Sequence, residues 1–116
     1  IIAAGDSILD LAYNLKKRKA KRVFAGATFA FFTSGLEAFD KAYADGVIDH
    51  VFATNLTYTP QAVLDRPWFS QADMSKYMAF VIATLNHDQS LSYLLNPWNR
   101  IEKLLTKYRA EHPHND

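Results

Sequence analysis

Five residues near the start of the chain, Ala3, Ala4, Gly5, Asp6 and Ser7, have the composition of an anion-binding turn. They follow two isoleucines and run into a helical pattern. Gly5 lets the backbone turn sharply and approach a ligand closely. Where such a turn opens a helix, unpaired N–H groups and the positive end of the dipole point outward and favour a phosphate. Ser7 adds a hydroxyl. Asp6 opposes this chemistry, because a carboxylate beside a phosphate repels it unless it points away or a cation offsets it. The stretch also has a structural reading. Ser7 with Asp10 three residues on is an S-x-x-D capping box, a common way to start a helix.

Three other groups can be weighed as sites. The basic run Lys16, Lys17, Arg18, Lys19, Lys21 and Arg22 suits a phosphorylated effector or nucleic acid, but it also suits a solvated helix end whose cations complement the dipole. His87 and Asp88 form a possible acid/base pair, although a histidine closing a helix is the simpler reading. His112 and His114 lack a third ligand for a metal. The phenylalanines at 24, 29, 31, 32, 39 and 52 sit at strand and helix spacing and are expected in the core. Tyr58, Trp68 and Phe69 lie in or beside an aperiodic stretch and are candidates for an exposed contact in a homo-oligomer.

The elements that must position these groups follow from periodicity. Residues 7–19 read as a helix with Ile8, Leu9, Ala12 and Leu15 on one side. Residues 22–28 read as a buried strand that extends into "FAFF". A second capping box, Ser34 with Glu37, starts a helix bearing Leu36, Phe39 and Tyr43, with Gly46 just past its end. "IDHVFATN" is a strand, "LTYTPQAVLDRP" a loop, and "WFSQAD" a short strand. Asp73 caps a helix whose apolar residues Met74, Tyr77, Met78, Val81, Ile82 and Leu85 recur with helical spacing. "SLSYLL" reads as a short strand. Asn96 and Pro97 open a last helix carrying Trp98, Ile101, Leu105 and Tyr108, and "EHPHND" is expected to fray. The order predicts an α/β fold with a largely parallel sheet flanked by helices, lacking strands upstream of Ile1. In such sheets ligands bind at the carboxyl ends of the strands, where residues 3–7 fall.

Composition limits the function. The chain has 116 residues, 49% of them hydrophobic and 14% aromatic, enough for one folded domain or part of one. A net charge of +1 argues against broad nucleic-acid or membrane-surface binding. The absence of cysteine excludes disulfides and thiolate metal sites, and fits a cytoplasmic protein. No apolar run reaches the length of a membrane span. A start on Ile predicts a piece cut from something longer.

The segments "IIAAGDSILDLA" and "AKRVFAGATFAFFTSGLEAF" resemble the C-terminal part of ribose-phosphate pyrophosphokinases, which are built from phosphoribosyltransferase-like domains. The resemblance continues in "VFATNLTY" and "HDQSLSYLL", so it spans nearly the whole chain in four ordered segments. It implies that Ala3, Ala4, Gly5, Asp6 and Ser7 form the loop holding the 5-phosphate of ribose 5-phosphate, after an acidic pair upstream of Ile1. It implies an intact enzyme that uses ATP and Mg²⁺, while the chain alone is inactive and supplies no catalytic residue. Several residues depart from the family pattern: Ala3 for Asp, Ala4 for Thr or Ser, Asp6 for Gly or Ala, and Phe29-Ala30 for His-Gly. A phosphoribosyltransferase of nucleotide salvage and a non-catalytic regulatory relative of the synthetase remain as alternatives.

Overall fold

In the computed structural model, which describes residues 1–112, the first helical pattern folds as α1, Asp6–Lys17. Leu9 and Ala12 are its buried residues, and Asp6 and the pair Lys16 and Lys17 stand at the ends where the dipole favours them. Then come β1 (Phe24–Ala27), α2 (Glu37–Ala44), β2 (His50–Thr54), the single turn α3 (Gln61–Leu64) and β3 (Phe69–Ala72). The three strands form one parallel sheet in the order β1-β2-β3. Phe24 pairs with His50 and Val51 with Phe69. Parallel neighbours need a crossover, which α2 and the segment containing α3 supply. Ile2 adds one isolated parallel bridge to Ala30, which is what forms in place of a strand at the opening and through "FAFF". This is the expected α/β arrangement.

Two compact units divide the chain, Ile1–Ser75 and Lys76–Asp116. The first contains the sheet. Its core joins Leu9 and Ala12 of α1, Phe39 and Ala42 of α2, Val51 and Ala53 of β2, Val63 of α3, and Trp68 with Phe69. Phe39 stacks on Trp68 at 5.4 Å, and Phe32 meets both rings edge-on at 5.0 and 5.7 Å. Two carboxylates bind elements together at its rim. Asp40 Oδ1 accepts from Trp68 Nε1 at 2.7 Å and from Arg66 Nε at 3.0 Å. Asp49 Oδ2 accepts the Val23 N–H at 2.7 Å, with Lys16 and Arg22 at 3.8 and 4.0 Å. Lys16 Nζ also donates to the Lys21 carbonyl. Two cations of the basic run are thus engaged in a structural clasp.

The second unit is helical. The helix α4 (Ser75–Asn86) crosses into it, followed by α5 (Ser92–Leu95) and α6 (Trp98–Glu111). As expected, Asp73 caps α4, its Oδ1 accepting the Ser75 N–H at 2.9 Å. Asn96 Oδ1 accepts the Trp98 N–H at 3.1 Å, so Asn96 opens α6 with Pro97 just outside the helix. Tyr77 donates its hydroxyl to the Leu94 carbonyl and lies under the Arg100 guanidinium. His87 and Asp88 close α4: the His87 N–H donates to Ala83, and Asp88 takes a left-handed φ of 50°. His112 stacks on Tyr108 at 4.3 Å, whereas His114 and the end of the tail lie outside the described residues.

Several expectations are corrected. Neither capping box forms: α1 starts from Gly5 and α2 from Leu36, both without a side-chain cap. The loop before β3 contains the turn α3, and "SLSYLL" supplies helix α5 where a strand was expected. Short apolar runs do not distinguish strand from helix by period alone. Trp68 and Phe69 are buried, whereas Phe24, Phe31 and Phe52 are about half exposed. The sheet explains this exchange. Phe24 and Phe52 stand on the side turned away from Val51 and Ala53, while Trp68 is drawn inward by its stack and its bond to Asp40.

Replacing Asp40 by Ala strands the buried indole N–H of Trp68. An Asp40→Ala chain should lose about 1–3 kcal/mol of stability in urea unfolding. An unchanged midpoint would show that the clasp contributes nothing.

Candidate functional site

The carboxyl ends of the three strands carry the polar groups. At the end of β2, Thr54 Oγ1 donates to the Thr28 carbonyl just beyond β1 at 2.6 Å. Asn55 then bridges to the end of β3. Its Nδ2 donates to Asp73 Oδ1 at 2.8 Å and to Ser75 Oγ at 3.1 Å, while its Oδ1 accepts the Met74 N–H at 2.8 Å. Asn55 therefore uses both ends of its amide to hold two strand ends in register. These bonds hold the Asp73 carboxyl below the ordinary aspartate value of 3.8, the Ser75 hydroxyl first, then the Ser75 N–H and the Asn55 amide.

The opening loop is fastened at this same end. Ile2 is buried, its N–H donates to the Phe29 carbonyl and its carbonyl accepts from Phe31, both at 2.8 Å. The Ala3 carbonyl accepts the Thr33 N–H at 3.0 Å. Residues 29–33 thus lie alongside residues 2–3, so two segments distant in sequence form one rim. Phe29 and Phe31 stack at 6.3 Å, and Phe32 turns its ring into the core from a left-handed φ of 49°. A phenylalanine in that region is strained, and its aromatic contacts with Phe39, Trp68 and Phe69 hold it there.

Gly5 is the pivot of the loop. Its φ is +99°, and a Cβ there would overlap Cε2 and Cζ of Phe39. Its carbonyl accepts the N–H groups of Ile8 and Leu9 at 3.1 and 3.0 Å, which starts α1. Among the described residues no backbone carbonyl accepts from the N–H groups of residues 3–7. Residues 1–8 line an open cleft of about 260 Å³. Ala3, Asp6 and Ser7 are exposed, Ala4 is half-buried and Gly5 is buried. The structure therefore gathers all five predicted residues around one cleft, with unpaired donors at a helix N-terminus. Ser7 keeps a free hydroxyl there, since it is not used as a cap.

Among the described residues no group of three or more His, Cys, Asp or Glu side chains comes together to hold a metal ion. Among the described residues no helix is long and apolar enough to cross a membrane.

Fold and site together define an α/β protein with an open, glycine-pivoted turn at the carboxyl end of a parallel sheet. No family profile matches the chain. The chain is 32% identical over 96 residues to a ribose-phosphate pyrophosphokinase of Vibrio cholerae serotype O1; the aligned part covers 83% of this chain and 30% of that protein. The chain thus spans under a third of that relative's length. The similarity supports a link to the ribose-phosphate pyrophosphokinase family, and that relative carries the name of a kinase-type transferase.

Thr54 and Asn55 were visible in the sequence within "VFATNLTY", but their structural roles were not. An Asn directly after a strand and an Asp directly before a helix are the available signal.

Gly5→Ala should cost about 2–4 kcal/mol in urea unfolding, combining a left-handed alanine with an overlap on Phe39. A loss below about 0.5 kcal/mol, the usual size for a neutral surface change, would refute the wedge. The Asp73 bonds predict a pH effect of definite sign. A carboxyl held below its unfolded value stabilises the clip above that value and loses the contribution as pH falls through the folded value. The Ser75 amide resonance should therefore titrate with a midpoint below 3.8. A midpoint at or above 3.8 would contradict it.

Proposed function

We propose that the chain is the sugar-phosphate-holding piece of a ribose-phosphate pyrophosphokinase. The intact protein transfers the diphosphoryl group of ATP to the 1-hydroxyl of ribose 5-phosphate and releases AMP. The observation that carries this reading is the row of unpaired N–H groups at residues 3–7, turned around Gly5 at the carboxyl end of the sheet. In it the amides of Ala3, Ala4, Gly5, Asp6 and Ser7, with the Ser7 hydroxyl, anchor the 5-phosphate. A helix N-terminus contributes about 0.3–1 kcal/mol to such an anion when exposed. These groups position the sugar, and fixed position is a large part of phosphoryl transfer. The chemistry itself lies with ATP, its Mg²⁺ and parts of the protein outside this chain.

Asp6 favours a second reading. Its carboxylate stands on the first turn of α1, beside the cleft, and Ala4 brings no hydroxyl. A regulatory relative that keeps the fold and binds sugar phosphate weakly would have such a loop. A salvage phosphoribosyltransferase would share the loop as well.

Titration of ribose 5-phosphate into the ¹⁵N-labelled chain should shift the amides of residues 3–7. Asp6→Asn should tighten binding about twofold to fivefold by removing a like charge. The chain alone should make no phosphoribosyl pyrophosphate from ATP and ribose 5-phosphate. If ribose 5-phosphate leaves the loop amides unmoved, the phosphate assignment fails. For the intact protein, ATP plus ribose 5-phosphate tests the synthetase, and a nucleobase plus phosphoribosyl pyrophosphate tests the salvage enzyme. Turnover by the intact protein alone ends the regulatory reading.

A further inference from the structure

The turn between α1 and β1 gathers positive charge that the fold does not use. Of the basic run, Lys16 and Arg22 are engaged with Asp49. Lys17, Arg18, Lys19 and Lys21 are exposed, and none forms an ion pair among the described residues.

The helix dipole explains only part of this. Its effect is confined to the last turn, and α1 ends at Lys17. Lys19 and Lys21 lie beyond it. Lys19 also takes a left-handed φ of 64°. Its N–H and that of Ala20 close the helix on the carbonyls of Lys16 and Leu15. A helix end prefers glycine at that position, because a side chain there is strained. The chain keeps a cation where glycine would be more stable.

Aromatic surface adjoins the cations. Phe24, which opens β1, and Phe52 on the next strand are 52% and 44% exposed. Their ring centroids are 6.5 Å apart. The Arg22 guanidinium lies over the Phe24 ring, 4.8 Å from its centroid. Rings and a flat guanidinium beside a basic strip suit the bases and the phosphates of an unpaired strand. A duplex hides the faces of its bases, and a lipid headgroup has no base to stack.

We propose that this corner binds single-stranded nucleic acid. Lys17, Arg18, Lys19 and Lys21 hold its phosphates, and its bases stack on Arg22 with Phe24 and on Phe52. The net charge of +1 is a sum over the whole chain, whereas attraction of a strand depends on the local field. The corner lies at the amino end of β1, and the turn at residues 3–7 lies at the carboxyl end of the sheet. The proposal therefore stands or falls apart from the synthetase reading.

Fluorescence anisotropy of a labelled oligothymidylate of about 15 nucleotides, titrated with the whole chain at low salt, tests it. Saturable binding with a Kd of about 10–100 µM is expected. Its logarithm should depend on log salt with a slope of about 2 to 3, as for three or four phosphates of a single strand. Lys19→Gly should weaken binding about twofold to fivefold and raise the urea midpoint, a pairing that a merely structural lysine does not give. Lys17→Glu with Lys21→Glu should weaken binding at least about tenfold. Phe24→Ala, with folding checked by circular dichroism, should weaken it at least about fivefold. A duplex of the same length should bind less tightly. No binding up to about 500 µM, or binding that ignores the lysines, would overturn the proposal. So would a duplex bound as tightly as the strand, or phosphatidylserine vesicles bound where the strand is not.

Discussion

The ring of Phe39 occupies the space that a side chain at position 5 would need, and much of the first unit depends on that. Phe39 is fully buried, stacked on Trp68 and met edge-on by Phe32. Because Gly5 has no Cβ, the opening loop can lie directly over this ring. The loop then turns through a left-handed φ, starts α1 from the Gly5 carbonyl and presents its amides outward. A packing constraint in the core thus sets the geometry of the opening turn. Burying an aromatic of this size contributes about 2–3 kcal/mol, so the turn is held by the same contacts that hold the domain.

The strand ends are secured by a different device. Asn55 and Asp73 join the ends of β2 and β3 through an amide and a carboxylate, and Thr54 joins β2 to the residue after β1. Loops at the carboxyl end of a parallel sheet can carry ligands because the strands beneath are rigid. Here the loops also bond to one another, from Ile2 and Ala3 to residues 29–33. The strained Phe32 belongs to this rim, and its cost is set against three aromatic contacts.

Much of the fold was legible in the sequence. The helices at 6–17, 37–44, 75–86 and 98–111 and the three strands follow from apolar spacing and from the residues that interrupt it. Asp73 and Asn96 were readable as helix starters because short polar side chains reach the free amides of a first turn. Ser7 and Ser34 look the same and do not cap. At Ser7 the left-handed Gly5 starts the helix earlier, and at Ser34 the chain passes through the left-handed Gly35 before α2 begins. The four-residue helices were missed because a single turn has too few residues to show a period.

The sequence by itself determined the α/β order of elements and the small residues of the opening turn, because spacing and backbone freedom are local properties. Tertiary structure alone decided which aromatics are core. Trp68 is buried and Phe24 and Phe52 are half exposed because one side of the sheet faces α1 and α2 and the other does not. It also decided that residues 29–33 border the turn at residues 3–7, and that Asn55 reaches Asp73. Such contacts lie 18 or more residues apart in the chain. They depend on strand register and on the side of the sheet each residue faces, and no local pattern encodes either.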